Sequence, residues 1–113
     1  METMTMGQET EKIMVRKMGR ALEERKELAV AQVENVNIYV TSYSGEYPAH
    51  KHPKGEFFLV LEGELQLGFG DRTVHLAEGE GLMVRKGTIH KPYAKDRALV
   101  LKVEPQDFPF EIV

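Results

Sequence analysis

The chain has 113 residues, of which 42% are hydrophobic and 29% are charged, a balance typical of a single globular domain. It contains no cysteine, which excludes disulfides and thiolate metal sites, so any bound metal must have nitrogen and oxygen ligands. The formal net charge of -3 gives no basic footprint for nucleic acid, and no run of about 20 apolar residues predicts a membrane span. We therefore expect a cytoplasmic protein whose partners include neither nucleic acid nor a membrane.

Residues 1–27 are predicted to be an N-terminal extension that is partly disordered. Met1 to Gln8 are polar and without periodicity, which predicts disorder at the start of the chain. Ile13 to Val15 can begin either a strand or a helix, because periodicity does not decide between them. Ala21 to Lys26 has a helix-forming composition, but the stretch is long enough for one turn only.

Residues 28–113 are predicted to form one all-β domain. Short runs rich in Val, Ile, Tyr and Thr alternate with turns that carry glycine and acidic residues. The predicted strands are Leu28–Val33, Val36–Tyr43, Phe57–Glu62, Glu64–Phe69, Arg72–Leu76, Gly81–Val84, His90–Tyr93 and Ala98–Val103, with a turn at Lys95 and Asp96 between the last two. Many short strands separated by turns predict a β-sandwich or a β-barrel.

Two of these strands are apolar at consecutive positions, namely Phe57 to Leu61 and Ala98 to Leu101. A strand with one wet face alternates between apolar and polar residues, so these two are expected to be covered on both faces. The barrel core supplies the inner cover. The outer cover must come from the N-terminal segment or from a second subunit, and we expect a homodimer.

The four histidines, His50, His52, His75 and His90, are the most informative residues of the sequence. On an extended backbone His50 and His52 leave the same face, about 6.6 Å apart along the strand, which lets two imidazoles approach one ion. Glu56 follows across a short turn, and His90 lies at a predicted loop-to-strand junction. Three neutral imidazoles and one carboxylate suit a divalent transition metal ion. His75 has no place in this set.

The segments that carry these residues resemble the two sequence motifs of the cupin superfamily. The first motif is glycine, about five residues, His-x-His, three or four residues, glutamate, six residues and glycine. It is matched from Gly45 to Gly63 with one residue fewer before the first histidine. The second motif is matched from Gly79 through His90, although Arg85 stands where the family usually has proline and Ala94 where it often has asparagine.

This resemblance covers about residues 36–104 and implies a double-stranded β-helix, or jelly-roll, barrel. It also implies that one divalent ion, either iron, manganese, nickel or zinc, is bound by four ligands. These ligands are His50, His52, Glu56 and His90. The two departures from the motifs fall on residues that are not ligands in the family pattern.

Three classes of function are compatible with such a site. The first is a metal-dependent enzyme of the dioxygenase or decarboxylase kind that acts on a small oxygen-bearing substrate, with Glu56 as a catalytic residue that shifts its coordination or accepts a proton. The second is an isomerase or epimerase of sugars or sugar phosphates. The third is a non-catalytic module that binds a metal or a small molecule. We rank the first class ahead of the others.

Strand parity places Phe58 and Val60 on the same face as Glu56, which favours an apolar wall beside the metal. The cavity wall is expected to include Tyr43, Tyr47, Phe58, Val60, Phe69 and Met83, although each of these is equally compatible with an ordinary core position. Arg85, Lys86 and Lys91 flank His90 and could attract an anionic substrate, although flanking basic residues are more often part of a solvated loop.

Overall fold

The computed structural model describes residues 3–5, 11–107 and 109–113. Within these ranges the chain forms one helix and ten strands. They are β1 (Thr3–Thr5), α1 (Val15–Ala21), β2 (Glu27–Val33), β3 (Val36–Glu46), β4 (His50–Lys51), β5 (Glu56–Glu62), β6 (Leu65–Gly68), β7 (Thr73–Leu76), β8 (Gly81–Val84), β9 (Lys91–Pro105) and β10 (Glu111–Ile112). The predicted all-β class is confirmed.

An eight-stranded sheet contains every strand except β4 and β10, which pair with each other. Its main path is β1-β2-β3-β9-β5-β8, and the β6–β7 hairpin joins it through β9. All pairings are antiparallel except that of β1 with β2. Strand β9 is therefore the central element, because it pairs with β3, β5 and β6.

The predicted turn at Lys95 and Asp96 is wrong, because β9 continues through these residues as one strand. Its pairing with β3 changes register there, since Tyr43 pairs with Ala98 while Gly45 pairs with Ala94. The extra residues are accommodated as an irregularity in the ladder, of the kind that bends a strand without ending it. Pairing on both sides of the irregularity overrides the local turn composition.

The N-terminal segment also differs from the prediction. The helix occupies Val15–Ala21 and not the predicted Ala21 to Lys26. Thr3–Thr5 forms β1 and pairs with the first residues of β2, where disorder was predicted. The remaining residues of the segment predicted to be disordered lie outside the described part of the chain.

Helix α1 packs against the outer face of the sheet. Val15 and Met18 join an apolar cluster around Val40, and Gly19 is the point of closest approach. A Cβ atom on Gly19 would lie 2.8 Å from a methyl carbon of Val40, so a larger residue would push the helix away. The helix therefore supplies part of the outer cover that the two apolar strands required.

The interior of the barrel holds the main apolar core. Its buried members are Tyr43, Phe58, Val60, Leu65, Leu67, Leu76, Val84, Ala94, Ala98 and Val100. Gly63, in the turn between β5 and β6, has a positive φ of 82°, and a Cβ there would lie 2.7 Å from the carbonyl oxygen of Arg97. No helix among the described residues is long and apolar enough to span a membrane.

Candidate metal centre

The fold brings His50, His52 and His90 together, as the sequence predicted. His50 and His90 are direct partners in an antiparallel bridge, where each backbone N–H donates to the other's carbonyl oxygen at 2.9 Å. His52 lies two residues beyond His50 and presents its ring 4.9 Å from that of His50. One ring nitrogen from each of the three histidines lies within 4.8 Å of the other two. This is a spacing at which three imidazoles can bind one ion.

Each imidazole is oriented by a hydrogen bond from its Nδ1 atom to a backbone carbonyl. The donor–acceptor distance is 2.9 Å in all three cases, and the accepting carbonyls belong to Pro48 for His50, Pro109 for His52 and Thr88 for His90. Because a carbonyl only accepts, Nδ1 carries the proton and Nε2 keeps its lone pair for a metal. Burial lowers the pKa of both His50 and His52, which favours the neutral form that binds metals.

Glu56, the first residue of β5, lies next to two of these imidazoles. Its Oε1 atom lies 3.6 Å from Nε2 of His52 and 3.5 Å from Nε2 of His90. Within the described residues neither Glu56 Oε1 nor His90 Nε2 has a hydrogen-bond partner, although both atoms are buried. Two buried acceptor atoms that face each other are costly, and a shared cation satisfies both. The donor set therefore fits a divalent metal ion.

The centre opens into a cavity of about 510 Å³, which is within the size range of small-molecule sites. His50, His52 and Glu56 line it at one side. Aromatic side chains form much of the remaining wall, namely Tyr39, Tyr43, Tyr47 and Phe110. A small molecule in this cavity would thus contact both the metal centre and an aromatic surface.

A buried group of charged residues lines the same cavity and was missed by the sequence analysis. The ammonium of Lys102 lies 3.1 Å from Glu27 Oε1, 3.9 Å from Glu56 Oε2 and 4.0 Å from Glu104 Oε2. Lys102, Glu27 and Glu104 are each only 8% exposed. A signal was available, because Lys102 and Glu104 share strand parity with Val100 and therefore point inward with it.

These contacts set the charge states of the group. Burial opposes the charged form of Lys102, but the surrounding acidic groups, Tyr43 and Glu104 among them, outweigh it and raise the lysine pKa well above its ordinary value. Burial likewise raises the pKa of Glu56, but the adjacent His90 and Lys102 reverse the effect and the net pKa is lowered. The pKa of Glu104 is raised, mainly by burial. A proton shared between the two glutamates therefore resides on Glu104.

A sequence model of the family described as the cupin domain matches residues 39–103 of this chain. The chain belongs to the cupin domain family. It is 34% identical over 84 residues to the uncharacterized protein YdbB of Bacillus subtilis (strain 168), an alignment that covers 73% of this chain and 74% of YdbB.

Solved structures of other proteins share the cupin fold. A cupin-2 domain containing protein from Shewanella frigidimarina superposes with a TM-score of 0.76 at 29% identity, over 80% of this chain and 90% of that one. Hydroquinone 1,2-dioxygenase PnpCD, whose structure holds Cd²⁺ and 4-hydroxybenzonitrile, superposes with a TM-score of 0.71 at 14% identity, over 81% of this chain and 71% of that one. The predicted double-stranded β-helix is confirmed.

The other residues that were predicted around this cupin's centre are only partly where the sequence placed them. Tyr43 and Tyr47 line the cavity. Phe58 and Val60 belong to the apolar core, with Phe69 packed against it. Met83 is 56% exposed and is not part of the wall, because its parity on β8 is opposite to that of Val84.

The basic residues that flank His90 are solvated, which is the alternative that the sequence analysis favoured. Arg85, Lys86 and Lys91 are exposed and do not line the cavity, whereas Arg25 and Lys102 do. The parity of β9 explains this result for Lys91, because Lys91 points away from the interior that its neighbour Pro92 faces. His75 is 60% exposed in its side chain and lies 3.5 Å from Glu64, outside the centre as predicted.

Proposed function

We propose that this cupin binds one divalent transition metal ion and acts as a metal-dependent enzyme on a small oxygen-bearing substrate, of the dioxygenase or decarboxylase kind. The proposed ligands are His50, His52, Glu56 and His90. The observation that carries the proposal is the buried, unpartnered pair formed by Glu56 Oε1 and His90 Nε2, 3.5 Å apart.

The metal's contribution would be to act as a Lewis acid on substrate oxygens or as a site for O₂. The protein's own residues orient the ligands and shape the cavity. The carbonyls of Pro48, Thr88 and Pro109 hold the three imidazoles in one tautomer and one orientation. The aromatic wall would cover one side of a substrate and exclude water there, which would strengthen the electrostatic contacts within the cavity. A catalytic role for Glu56 as a proton acceptor stays a prediction.

The proposal is tested first by the metal content of protein purified without chelator. His52→Ala should abolish stoichiometric retention of iron, manganese, nickel or zinc, because it removes one of three converging nitrogens. His75→Ala is the matched control, since it removes an exposed imidazole outside the centre, and it should retain metal like the unchanged protein. Both variants should keep the circular dichroism of the β-fold. Stoichiometric metal in His52→Ala would contradict the ligand assignment.

The reaction class needs a second measurement, because a fold shared at 14% identity does not select a chemistry. Oxygen uptake by the iron- or manganese-loaded protein with a diketone, a catechol or a thiol supports the oxygenase. Thermal stabilisation by sugar phosphates that does not depend on metal supports the isomerase class or a binding role. A loaded protein that is inert in both assays supports the non-catalytic module.

The homodimer and the cytoplasmic location also remain proposals. Support for the dimer comes from the outer face of the sheet, where apolar side chains beyond the reach of α1 are only half-buried. They are Phe57, Leu59, Leu101 and Val103.

A further inference from the structure

Lys102 presents a positive charge to the cavity beside the metal centre, and the family motifs assign it no role. Its ammonium group has three N–H donors. Of the three carboxylates around it, only that of Glu27 lies at hydrogen-bond distance, at 3.1 Å. Glu56 and Glu104 lie at 3.9 and 4.0 Å, which is too long for a hydrogen bond. The ammonium therefore has capacity for an oxygen atom of a ligand in the cavity.

One carboxylate spans the gap between this ammonium and the metal centre. Glu56 directs Oε1 toward the imidazole nitrogens of His52 and His90, and it directs Oε2 toward Lys102. A ligand with two neighbouring oxygens can span a similar gap. It would place one oxygen at the metal centre and the other near the lysine Nζ.

The remaining wall indicates the body of such a ligand. The Lys102 Nζ atom lies 6.0 Å from the ring centroid of Tyr39 and 5.8 Å from that of Tyr43, so a molecule that reaches the ammonium also meets these rings. The Tyr43 ring in turn contacts the edge of Tyr47, with centroids 5.0 Å apart. Flat carbon skeletons pack well against such a surface.

We propose that Lys102 determines specificity for a small organic monoanion, with a planar body and two neighbouring oxygens, whose anionic oxygen pairs with the ammonium. This inference rests on the proposed function, because the second oxygen is placed at the metal. Among the described residues Arg25 also lines the cavity as a cation, but its guanidinium contacts the carbonyl oxygens of Ser44 and Glu46 and lies 3.9 Å over the Tyr47 ring. Lys102 is the cation that faces the metal centre.

The test compares two probes of nearly the same shape, 2-hydroxybenzoate and its neutral amide, 2-hydroxybenzamide. Each has two neighbouring oxygens, and only the first is an anion. Their dissociation constants are measured by titration calorimetry on the metal-loaded protein and on metal-loaded Lys102→Gln. The ratio of the two affinities should fall about tenfold in Lys102→Gln, with the affinity for the amide almost unchanged, because only the anion loses a charge-assisted contact.

Two control variants separate this contact from the general field of the cavity. Lys102→Arg keeps the charge and should keep most of the preference for the anion. Arg25→Gln removes a cation from the same cavity and should leave the affinity ratio unchanged. An unchanged ratio in Lys102→Gln, an equal loss in Arg25→Gln, or no binding of the anion at millimolar concentration would each overturn the proposal.

A second measurement covers the case in which Lys102→Gln fails to fold. The side-chain NMR signal of Lys102, assigned by its absence from Lys102→Arg, should shift with the benzoate and not with the amide in the unchanged protein. Metal content distinguishes a failure of the proposed function from a failure of this inference. Failure of the unchanged protein to bind metal contradicts the proposed function, whereas bound metal without a response of Lys102 contradicts this inference alone.

Discussion

The barrel interior has one half at the metal centre and one half away from it. Both halves are buried, but their side chains differ in chemistry. On β5 the inward side chains change from Glu56 to Phe58 and Val60, which are 3%, 1% and 1% exposed. On β9 they change from Lys102, at 8% exposure, to Val100, at 0%. On each of these strands, a charged part that faces the metal centre adjoins an apolar part that closes the barrel.

The two halves contribute differently to the stability of the fold. Buried apolar side chains stabilise the fold by about 1.5 to 3 kcal/mol each, whereas buried charges rarely add stability even when they are paired. The apolar half therefore holds the barrel together. The charged half contains the proposed metal ligands and Lys102, and the apolar half offsets the cost of burying these charges.

The largest expected effect lies in the apolar half. Leu67 on β6 is fully buried, and Leu67→Ala should lower the free energy of unfolding by about 2 to 5 kcal/mol, through lost burial and the cavity left behind. Urea denaturation measures the loss. The folded variant should still bind metal with the stoichiometry of the unchanged protein. A Leu67→Ala variant of normal stability that had lost its metal would contradict the assignment of stability to the apolar half and of metal binding to the charged half.

A smaller effect is expected from Glu104 in the metal-free protein, through the dependence of stability on pH. Its pKa is raised from 4.5 to about 8, so the folded state keeps a proton that the unfolded chain has released, and stability falls as the pH rises through this range. His50 and His52, whose pKa values are lowered from 6.5, act in the opposite direction, mainly below pH 6.5, where the unfolded histidines are protonated. The window that reports Glu104 is therefore pH 6.5 to 8.

Glu104→Gln removes this titration and should flatten the fall in melting temperature between pH 6.5 and 8. Melting is followed by circular dichroism after treatment with a chelator, in the variant and in the unchanged protein side by side. A slope that persists in the variant would show that another group causes it.

The smallest effect is expected at the boundary between the halves. The Phe58 ring lies 6.4 Å from Tyr43 of the cavity wall and 6.2 Å from the His90 ring, measured between ring centroids. Phe58→Leu should lower the free energy of unfolding by about 1 to 2 kcal/mol. Metal affinity, measured by competition with a chelator, should change by less than the roughly tenfold loss typical of a removed ligand-orienting hydrogen bond. A larger loss would mean that packing, and not the Thr88 carbonyl, orients His90.

Local signals account for the parts of the structure that could be predicted from the sequence. Glycine turns and short apolar runs predicted most strands, and the spacing of His50, His52 and Glu56 depends on one strand and one turn. His90 lies outside this local segment. Its position at a predicted loop-to-strand junction made it a candidate, and the resemblance to a known family then implied that it is a ligand. The two strands with consecutive apolar residues correctly predicted an outer cover, which α1 provides in part.

The missed features depend mainly on contacts with other segments of the chain. The residues of the predicted turn at Lys95 remain in β9 because the strand pairs with β3 on both sides of the irregularity. Lys102 was missed because its charge lies in an otherwise apolar run, where its partners Glu27 and Glu104 come from a different strand and from two positions further on. The acceptor for His52 is a backbone carbonyl, which has no signature in the sequence.

That acceptor belongs to Pro109, 57 residues after His52, in a segment that β10 fastens to β4. A nascent chain can therefore carry all four candidate ligands and still lack the group that fixes one of them. Until the ribosome has added Pro109 and β10 has docked, the His52 ring is without its fixed tautomer. An ion bound as proposed would therefore meet a fully oriented set of imidazoles only after this segment has docked.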